Sequence, residues 1–242
     1  MTSATTPTVL SAKGLRKQFR GVLAIDDVDI DVEAGRVLGI IGPNGSGKTT
    51  AFNLLTGFVA RDAGSIEVDG VAHRRCSPRR MARAGLSRTF QQCKVFPKMS
   101  VEDHLSMSRR PDRRRQDADA WEALVEDLVG RLGRDHLLGD CSFGDRKRVE
   151  IAMAVAQRPL VLLLDEIAAG VDVSVVQLIE RTVRQVAGLG AGVVLVEHDV
   201  PFVMGLSDEV LALDHGVVIA RGTPEAVRAD PQVQEAYLGR HR

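Results

Sequence analysis

Gly42-Pro43-Asn44-Gly45-Ser46-Gly47-Lys48-Thr49-Thr50 follows the apolar run Val37-Leu38-Gly39-Ile40-Ile41, and the reading of this stretch decides the fold. It fits G-x-x-x-x-G-K-[ST], and a strand that runs into a glycine loop and then a helix is the setting a phosphate-binding loop needs. Gly42, Gly45 and Gly47 let the backbone turn its N–H groups inward as an anion nest. A helix beginning near Lys48 adds its positive N-terminal end. The loop is therefore expected to hold nucleoside phosphates, with Lys48 reaching the β- and γ-phosphates and the Thr49 hydroxyl serving as a Mg2+ ligand.

Length and charge set the frame around this loop. A chain of 242 residues buries a substantial core, as one α/β domain or one domain with an inserted lobe. Lys plus Arg equals Asp plus Glu at 32 each, so no net positive field points to nucleic acid as a partner. Cys76, Cys93 and Cys141 lie far apart without C-x-x-C spacing, which argues against a zinc site or disulfide framework and for a reducing cytoplasm. No apolar run approaches the roughly 20 residues of a membrane span. The chain is expected to stay in the cytoplasm unless a partner holds it at a membrane.

Upstream of the loop, Val9 to Phe19 and Val22 to Val32 read as paired antiparallel strands. In the second, Val28, Ile30 and Val32 alternate with Asp27, Asp29, Asp31 and Glu33, the period of a sheet with one wet face. Phe19, just before Arg20-Gly21, is either a loop aromatic that stacks on a purine or an ordinary core residue. Downstream, a helix is expected from Lys48 to Thr56, stopped at Gly57, a strand over Ser65 to Val68, and a helix over Pro78 to Ala84. Leu86-Ser87-Arg88-Thr89-Phe90-Gln91 reads as a strand ending on Gln91, whose amide can reach a metal or simply face solvent.

Composition changes between Ser100 and Leu138. Ser100 with Asp103 forms an N-cap pair, and Trp121, Leu124, Val125, Leu128, Val129 and Leu132 follow helical spacing. Between them Arg109 to Arg115 is a basic connector, either a solvated loop or a contact for phospholipid or a partner. The stretch reads as a helical lobe inserted into the α/β core. The sheet then resumes at Leu160-Val161-Leu162-Leu163-Leu164-Asp165-Glu166, an apolar run that implies burial on both faces. Of the two acids at its end, Asp165 is suited to bind Mg2+ through its water shell and Glu166 to polarise an attacking water. Val193-Val194-Leu195-Val196 followed by Glu197-His198-Asp199 repeats that format and sets His198 on the same edge.

Together these residues resemble an ABC-type ATPase, and more closely the ATP-binding subunits of branched-chain amino-acid importers, over nearly the whole chain. The resemblance rests on the phosphate loop, Arg88-Thr89-Phe90-Gln91, and the signature-like Cys141-Ser142-Phe143-Gly144-Asp145 with Val149-Glu150-Ile151-Ala152 after it. It continues through Leu164-Asp165-Glu166, Ala169-Gly170-Val171-Asp172, Glu197-His198-Asp199, Asp230-Pro231-Gln232-Val233 and Ala236-Tyr237-Leu238-Gly239. It implies one ABC ATPase domain over 1–242: a P-loop NTPase α/β core, an antiparallel β subdomain, and an inserted α-helical lobe near 92–157 that includes the signature.

The resemblance further implies that Gly42 to Thr50 bind ATP, that Phe19 stacks on adenine, and that Gln91 senses Mg2+ and the membrane subunit. Glu166 would be the catalytic base, His198 the γ-phosphate switch, and Asp172 a contact across a dimer. In that family two subunits sandwich two ATP molecules, so Ser142, Phe143, Gly144 and Asp145 would act on the nucleotide of the partner, ahead of a helix over Arg146 to Ala156. Implied partners are a second ATPase subunit, integral-membrane permease subunits, and indirectly an extracytoplasmic solute-binding protein. The chain would sit peripherally on the inner face of the cell membrane and drive uptake of branched-chain amino acids or similar small polar solutes.

Alternatives are the motor of a urea, amide or lipid-exporting system, a soluble ABC ATPase of translation or DNA repair, and a nucleotide sensor without catalysis. Two departures from the family pattern carry expectations. Asp145, where Gln or Glu is usual, puts a carboxylate near a second negative group and implies a weak dimer. Ile167, where proline is usual, is expected to free a backbone N–H and loosen the turn.

Overall fold

The N-terminal strands are β1 (Thr8–Phe19) and β2 (Val22–Glu33), antiparallel, with Val28, Ile30 and Val32 buried and Asp27 and Asp29 exposed as their alternation requires. β3 (Val37–Ile41) is buried at every residue and feeds the glycine loop, after which α1 (Lys48–Leu55) ends at Gly57 with φ 73°. β4 (Ala63–Val68) turns at Asp69-Gly70 into the short β5 (Val71–Ala72). The hairpin follows from the Asp-Gly pair, both at positive φ. α2 (Pro78–Ala84) is capped by Ser77 and closed by Gly85 at φ 118°. The computed structural model describes residues 6–90, 94–109 and 117–238.

β6 (Leu86–Arg88) is shorter than its sequence suggests, ending at Arg88 rather than Gln91. The Thr89 N–H still donates to the Leu163 carbonyl at 3.0 Å, but the ladder stops there: the Asp165 N–H goes to the Thr89 side-chain Oγ1, and the Phe90 N–H donates to the Glu150 side chain. Gln91 and Cys93 lie outside the described residues, as do Arg110 to Arg115 of the basic connector. Arg109 pairs with Glu102 at 2.9 Å and with Glu122.

Three helices follow: α3 (Val101–Ser108), α4 (Ala118–Val129) and α5 (Phe143–Ala156). Ser100 and Asp103 form the expected reciprocal cap of α3. Trp121, Leu124, Val125, Leu128 and Val129 are buried along α4, whereas Leu132 falls past its end, because Gly130 closes the helix. α5 begins one turn before the expected Arg146, since Ser142 supplies the N-cap and draws Phe143, Gly144 and Asp145 into the first turn.

β7 (Val161–Asp165), α6 (Val173–Gly188), β8 (Gly192–Val196) and α7 (Val200–Leu206) complete the alternating core. β9 (Glu209–Asp214) and β10 (Val217–Gly222) form a hairpin, and α8 (Pro224–Ala229) and α9 (Pro231–Leu238) end the described chain. The large sheet runs β10-β9-β3-β8-β7-β6, parallel except for β10, and the antiparallel sheet runs β2-β1-β4-β5. Leu38, Ile40, Leu163, Val194 and Val196 share a core with the small sheet and α1. Leu162, Leu164, Val193 and Leu195 share the other core with α3 to α7. Parallel pairing of β3, β8 and β7 brings their C-terminal ends to one edge, where ligands of such sheets bind.

Candidate active site

At that edge the glycines are sterically required. A Cβ on Gly42 would lie 2.2 Å from the Leu213 carbonyl oxygen, and one on Gly47 would lie 2.6 Å from the Ala24 carbonyl oxygen. The β9–β10 turn braces the loop from below, since the Gly216 N–H donates to the Ser46 carbonyl at 2.9 Å. Lys48 is buried and its Nζ donates to the Gly42 and Pro43 carbonyls at 2.7 and 3.0 Å, which holds the loop open as a ring. Tyr237 of α9 also reaches the loop: burial raises its pKa, and the Gly42 N–H lowers it in part.

Two observations fit this loop to a phosphate. The buried Ser46 Oγ has no partner among the described residues. α1 starts at Gly47 without a side-chain cap and without an acid in its first turn, so its leading N–H groups remain for an anion. The loop lines a polar cleft of about 430 Å3 formed by Ala24, Asn44 to Thr50, Glu166 and His198.

Glu166 faces the loop from just past β7. Its backbone is left-handed at φ 50°, its N–H donates to the Val196 carbonyl at 2.9 Å, and its Oε1 lies 2.7 Å from His198 Nε2. The expected loosening at Ile167 does not occur. Ile167 is fully buried, and the buried carboxylate of Glu197 accepts from the Ala168 N–H at 2.8 Å and is further stabilised by the Ile167 N–H. The N–H that proline would lack is thus engaged.

Asp165 stands behind this pair, buried with Arg88, whose Nη2 donates to its Oδ2 at 2.9 Å. Burial pushes the Asp165 carboxyl up and Arg88 pulls it back. The same guanidinium donates to Asn53, Thr56 and the Thr89 carbonyl, with the rings of Phe90, Phe58 and Phe52 at 4.8, 5.3 and 5.9 Å. Arg88 therefore joins α1, β7 and the strand leading to Gln91. Sequence reading took it only as part of a motif, because nothing in spacing marks a charged residue as buried. A second buried pair went unread for the same reason: Lys147 and Glu150 of α5 lie 3.2 Å apart and bind the carbonyl and N–H of Phe90.

The other expected residues lie apart from the cleft. Phe19 is 43% exposed with Lys17 Nζ 5.2 Å from its ring centroid, so it is a surface aromatic and no core residue, and it does not line the cleft. Ser142, Phe143, Gly144 and Asp145 do not line it either. Ser142 caps α5 and donates its hydroxyl to Asp145 at 2.7 Å, while Arg148 reaches the other Asp145 oxygen at 3.4 Å. Asp172 caps α6 through the Ser174 and Val175 N–H groups, and the Ser174 hydroxyl, which donates to it at 2.6 Å, together with those N–H groups holds its carboxyl below the usual range.

A phosphate loop at the end of a central parallel strand, faced by a carboxylate and an imidazole, defines a P-loop nucleotide hydrolase. Residues 25–169 match the ABC transporter family model, and residues 217–242 match a branched-chain amino acid ATP-binding cassette transporter model. A probable ABC transporter ATP-binding protein of Azorhizobium caulinodans is 38% identical over 98% of this chain and 85% of its own length. The lipopolysaccharide export ATP-binding protein LptB of Escherichia coli is 36% identical over 95% of this chain and 97% of its own. The high-affinity branched-chain amino acid transport ATP-binding protein BraF of Pseudomonas aeruginosa is 33% identical over 96% and 98%. The crystal structure of the ADP conformation of an ABC transporter ATP-binding cassette superposes with a TM-score of 0.84 at 28% identity, covering 97% of this chain and 100% of that one. The chain belongs to the ABC transporter ATP-binding family, whose members bind and hydrolyse ATP and serve membrane permeases. Among the described residues no helix is long and apolar enough to cross a membrane.

Proposed function

We propose that this chain is the motor of an importer for branched-chain amino acids or similar small polar solutes, docked on the cytoplasmic face of an integral-membrane permease. The observation that carries this reading is the match of residues 217–242 to the branched-chain amino acid transporter model. An extracytoplasmic solute-binding protein is then an indirect partner. The ATPase domain spans 1–242, and the stretch near 92–157 works as its helical lobe.

In the reaction, Lys48 and the N–H groups of Gly45 to Thr50 hold the phosphates, and Phe19 stacks on the adenine. Thr49 and Asp165, with Gln91, are the residues to hold Mg2+, which neutralises charge on the phosphates when bound. Glu166 takes the proton of the attacking water, and His198, 2.7 Å from it, orients that carboxylate and contacts the γ-phosphate. Ser142 to Asp145 lie off the cleft of their own chain, which suits a role on the nucleotide of a second subunit, with Asp172 at the same interface. ATP then becomes part of the dimer contact, and hydrolysis releases it.

Glu166→Gln tests this directly. The variant keeps shape but loses the base, so ATP and Mg2+ should produce a dimer visible by light scattering, with no turnover. A monomeric, fully active variant overturns both roles. A second reading, lipid export, is favoured by the 36% identity to LptB. Copurification of the permease separates the two: ATPase stimulation by a leucine-loaded binding protein supports import, and stimulation by lipid supports export.

A further inference from the structure

Val196, Glu197 and His198 are consecutive, and each holds a different part of the segment that carries Glu166. The Val196 carbonyl accepts from the Glu166 N–H, and His198 Nε2 meets the Glu166 side chain at 2.7 Å. Between them, the Glu197 carboxylate takes the N–H groups just after Glu166, with Ala168 at 2.8 Å. We propose that Glu197 is a positioning residue for hydrolysis, the middle rung that fixes the turn after Glu166 and so keeps that carboxylate against His198.

Two features say why such a rung is needed. Glu166 sits at φ 50°, a conformation that costs a non-glycine residue energy and persists only where its surroundings impose it. Releasing the turn lets the backbone relax toward negative φ and swings the side chain away from the cleft. Glu197 itself is 4% exposed, and among the described residues no lysine or arginine forms an ion pair with it. Burial raises its pKa, and the Ala168 and Ile167 N–H groups act against that rise. An apolar side chain would fill this dry position at less cost than a carboxylate, which points to a requirement for an acceptor oxygen facing the Ala168 and Ile167 N–H groups. Ile167 adds to the arrangement, because proline at 167 would offer no N–H.

The inference rests on Glu166 being the base, and the experiment separates the two. Amide hydrogen exchange and steady-state kinetics are measured on the full chain and on Glu197→Ala, Glu197→Gln and Glu166→Gln. Glu197→Ala should expose the Ile167 and Ala168 amides to exchange and lower kcat by about 100-fold, the scale of a 1 Å misplacement, with KM for ATP little changed. Glu197→Gln keeps an acceptor oxygen and should restore both protection and most of the rate. An unchanged kcat in Glu197→Ala overturns the proposal. So does loss of protection across β3 and β8 together with nucleotide binding, which marks Glu197 as a general stability residue. If Glu197→Ala does not fold, Glu197→Gln decides alone, because parental protection at 167 and 168 supports the rung and its loss refutes it. Turnover by Glu166→Gln removes the base assignment, whereas the exchange result still reports on the rung.

Discussion

The starts of α1 and α5 are both proposed to meet phosphate, yet they are built in opposite ways. α1 opens on Gly47 with no side-chain cap, and nothing acidic precedes or follows within its first turn. α5 opens on Ser142, which caps the Asp145 N–H and gives its own hydroxyl to the Asp145 carboxylate. An uncapped start leaves N–H groups that an anion completes, so α1 needs a phosphate to be whole. A capped start is already satisfied and must exchange an internal bond for an external one. The contrast suits a resident nucleotide at α1 and a transient contact, made and broken each cycle, at α5.

The largest effect that tests this contrast is at α1. Lys48→Ala removes the only charged group of the loop and the brace on the Gly42 and Pro43 carbonyls at once. Loss of one charge-assisted hydrogen bond, roughly 1.5 to 3 kcal/mol, should weaken ATP binding by tenfold or more. ATPase activity should disappear, as read by phosphate release. Near-parental hydrolysis would show that α1 does not hold the nucleotide.

A smaller effect is expected at α5. Ser142→Ala removes a cap worth about 1 kcal/mol, a fall of about 2 to 4 °C in Tm for a domain of this size. Ser142→Thr keeps the hydroxyl and should melt like the parent. If the cap is the whole role of Ser142, nucleotide-driven dimerisation survives in Ser142→Ala. If it also contacts the partner's phosphate, dimerisation fails while ATP binding to the single chain persists. Equilibrium dialysis beside light scattering gives both readings.

How far the sequence disclosed these sites depended on whether a pattern leaves a trace in spacing. The strands β3, β7 and β8 were legible because burial on both faces forces unbroken apolar runs, and the phosphate loop because only glycine fits beside Leu213 and Ala24. Glu166 and His198 were legible as acid and imidazole at the ends of such runs. The Arg88–Asp165 and Lys147–Glu150 pairs are not: Arg88 and Asp165 lie 77 residues apart, and Lys147 and Glu150, although three apart on one helix, read like an ordinary solvated surface pair because nothing in their spacing marks them as buried. The true start of α5, three residues before Arg146, leaves little trace in spacing because its cap is a single hydroxyl that accepts from the N–H three residues on. The engagement of the Ile167 N–H is not legible because its partner, Glu197, is thirty residues away, just past the end of β8.

The smallest effect is at Asp145, and it sharpens the contrast most. If α5 aims its start at a partner's γ-phosphate, as the proposed function has it, the Asp145 carboxylate would repel it, by roughly 1.7 kcal/mol for unit charges at ~10 Å and an effective dielectric of ~20. The structure offsets part of this, because Arg148 lies 3.4 Å from one Asp145 oxygen and the helix start favours the negative charge. It also adds a second term. The Ser142 hydroxyl is bonded to the other oxygen at 2.7 Å, so it must leave Asp145 before it can serve a phosphate. Asp145→Asn weakens both obstacles, since an amide carries no charge and accepts the hydroxyl less strongly than a carboxylate. With the offsets counted, a gain of about 0.5 to 1 kcal/mol remains, a dimer about two to five times tighter, and the charge term should fade as salt shortens the Debye length. The measurement is the dimer Kd with ATP against ionic strength, both proteins carrying Glu166→Gln. A gain confined to low salt assigns the effect to charge, and a gain that persists at high salt assigns it to the freed Ser142 hydroxyl. Equal affinities throughout would leave Asp145 as a helix cap alone, and the start of α5 would then be no barrier to assembly.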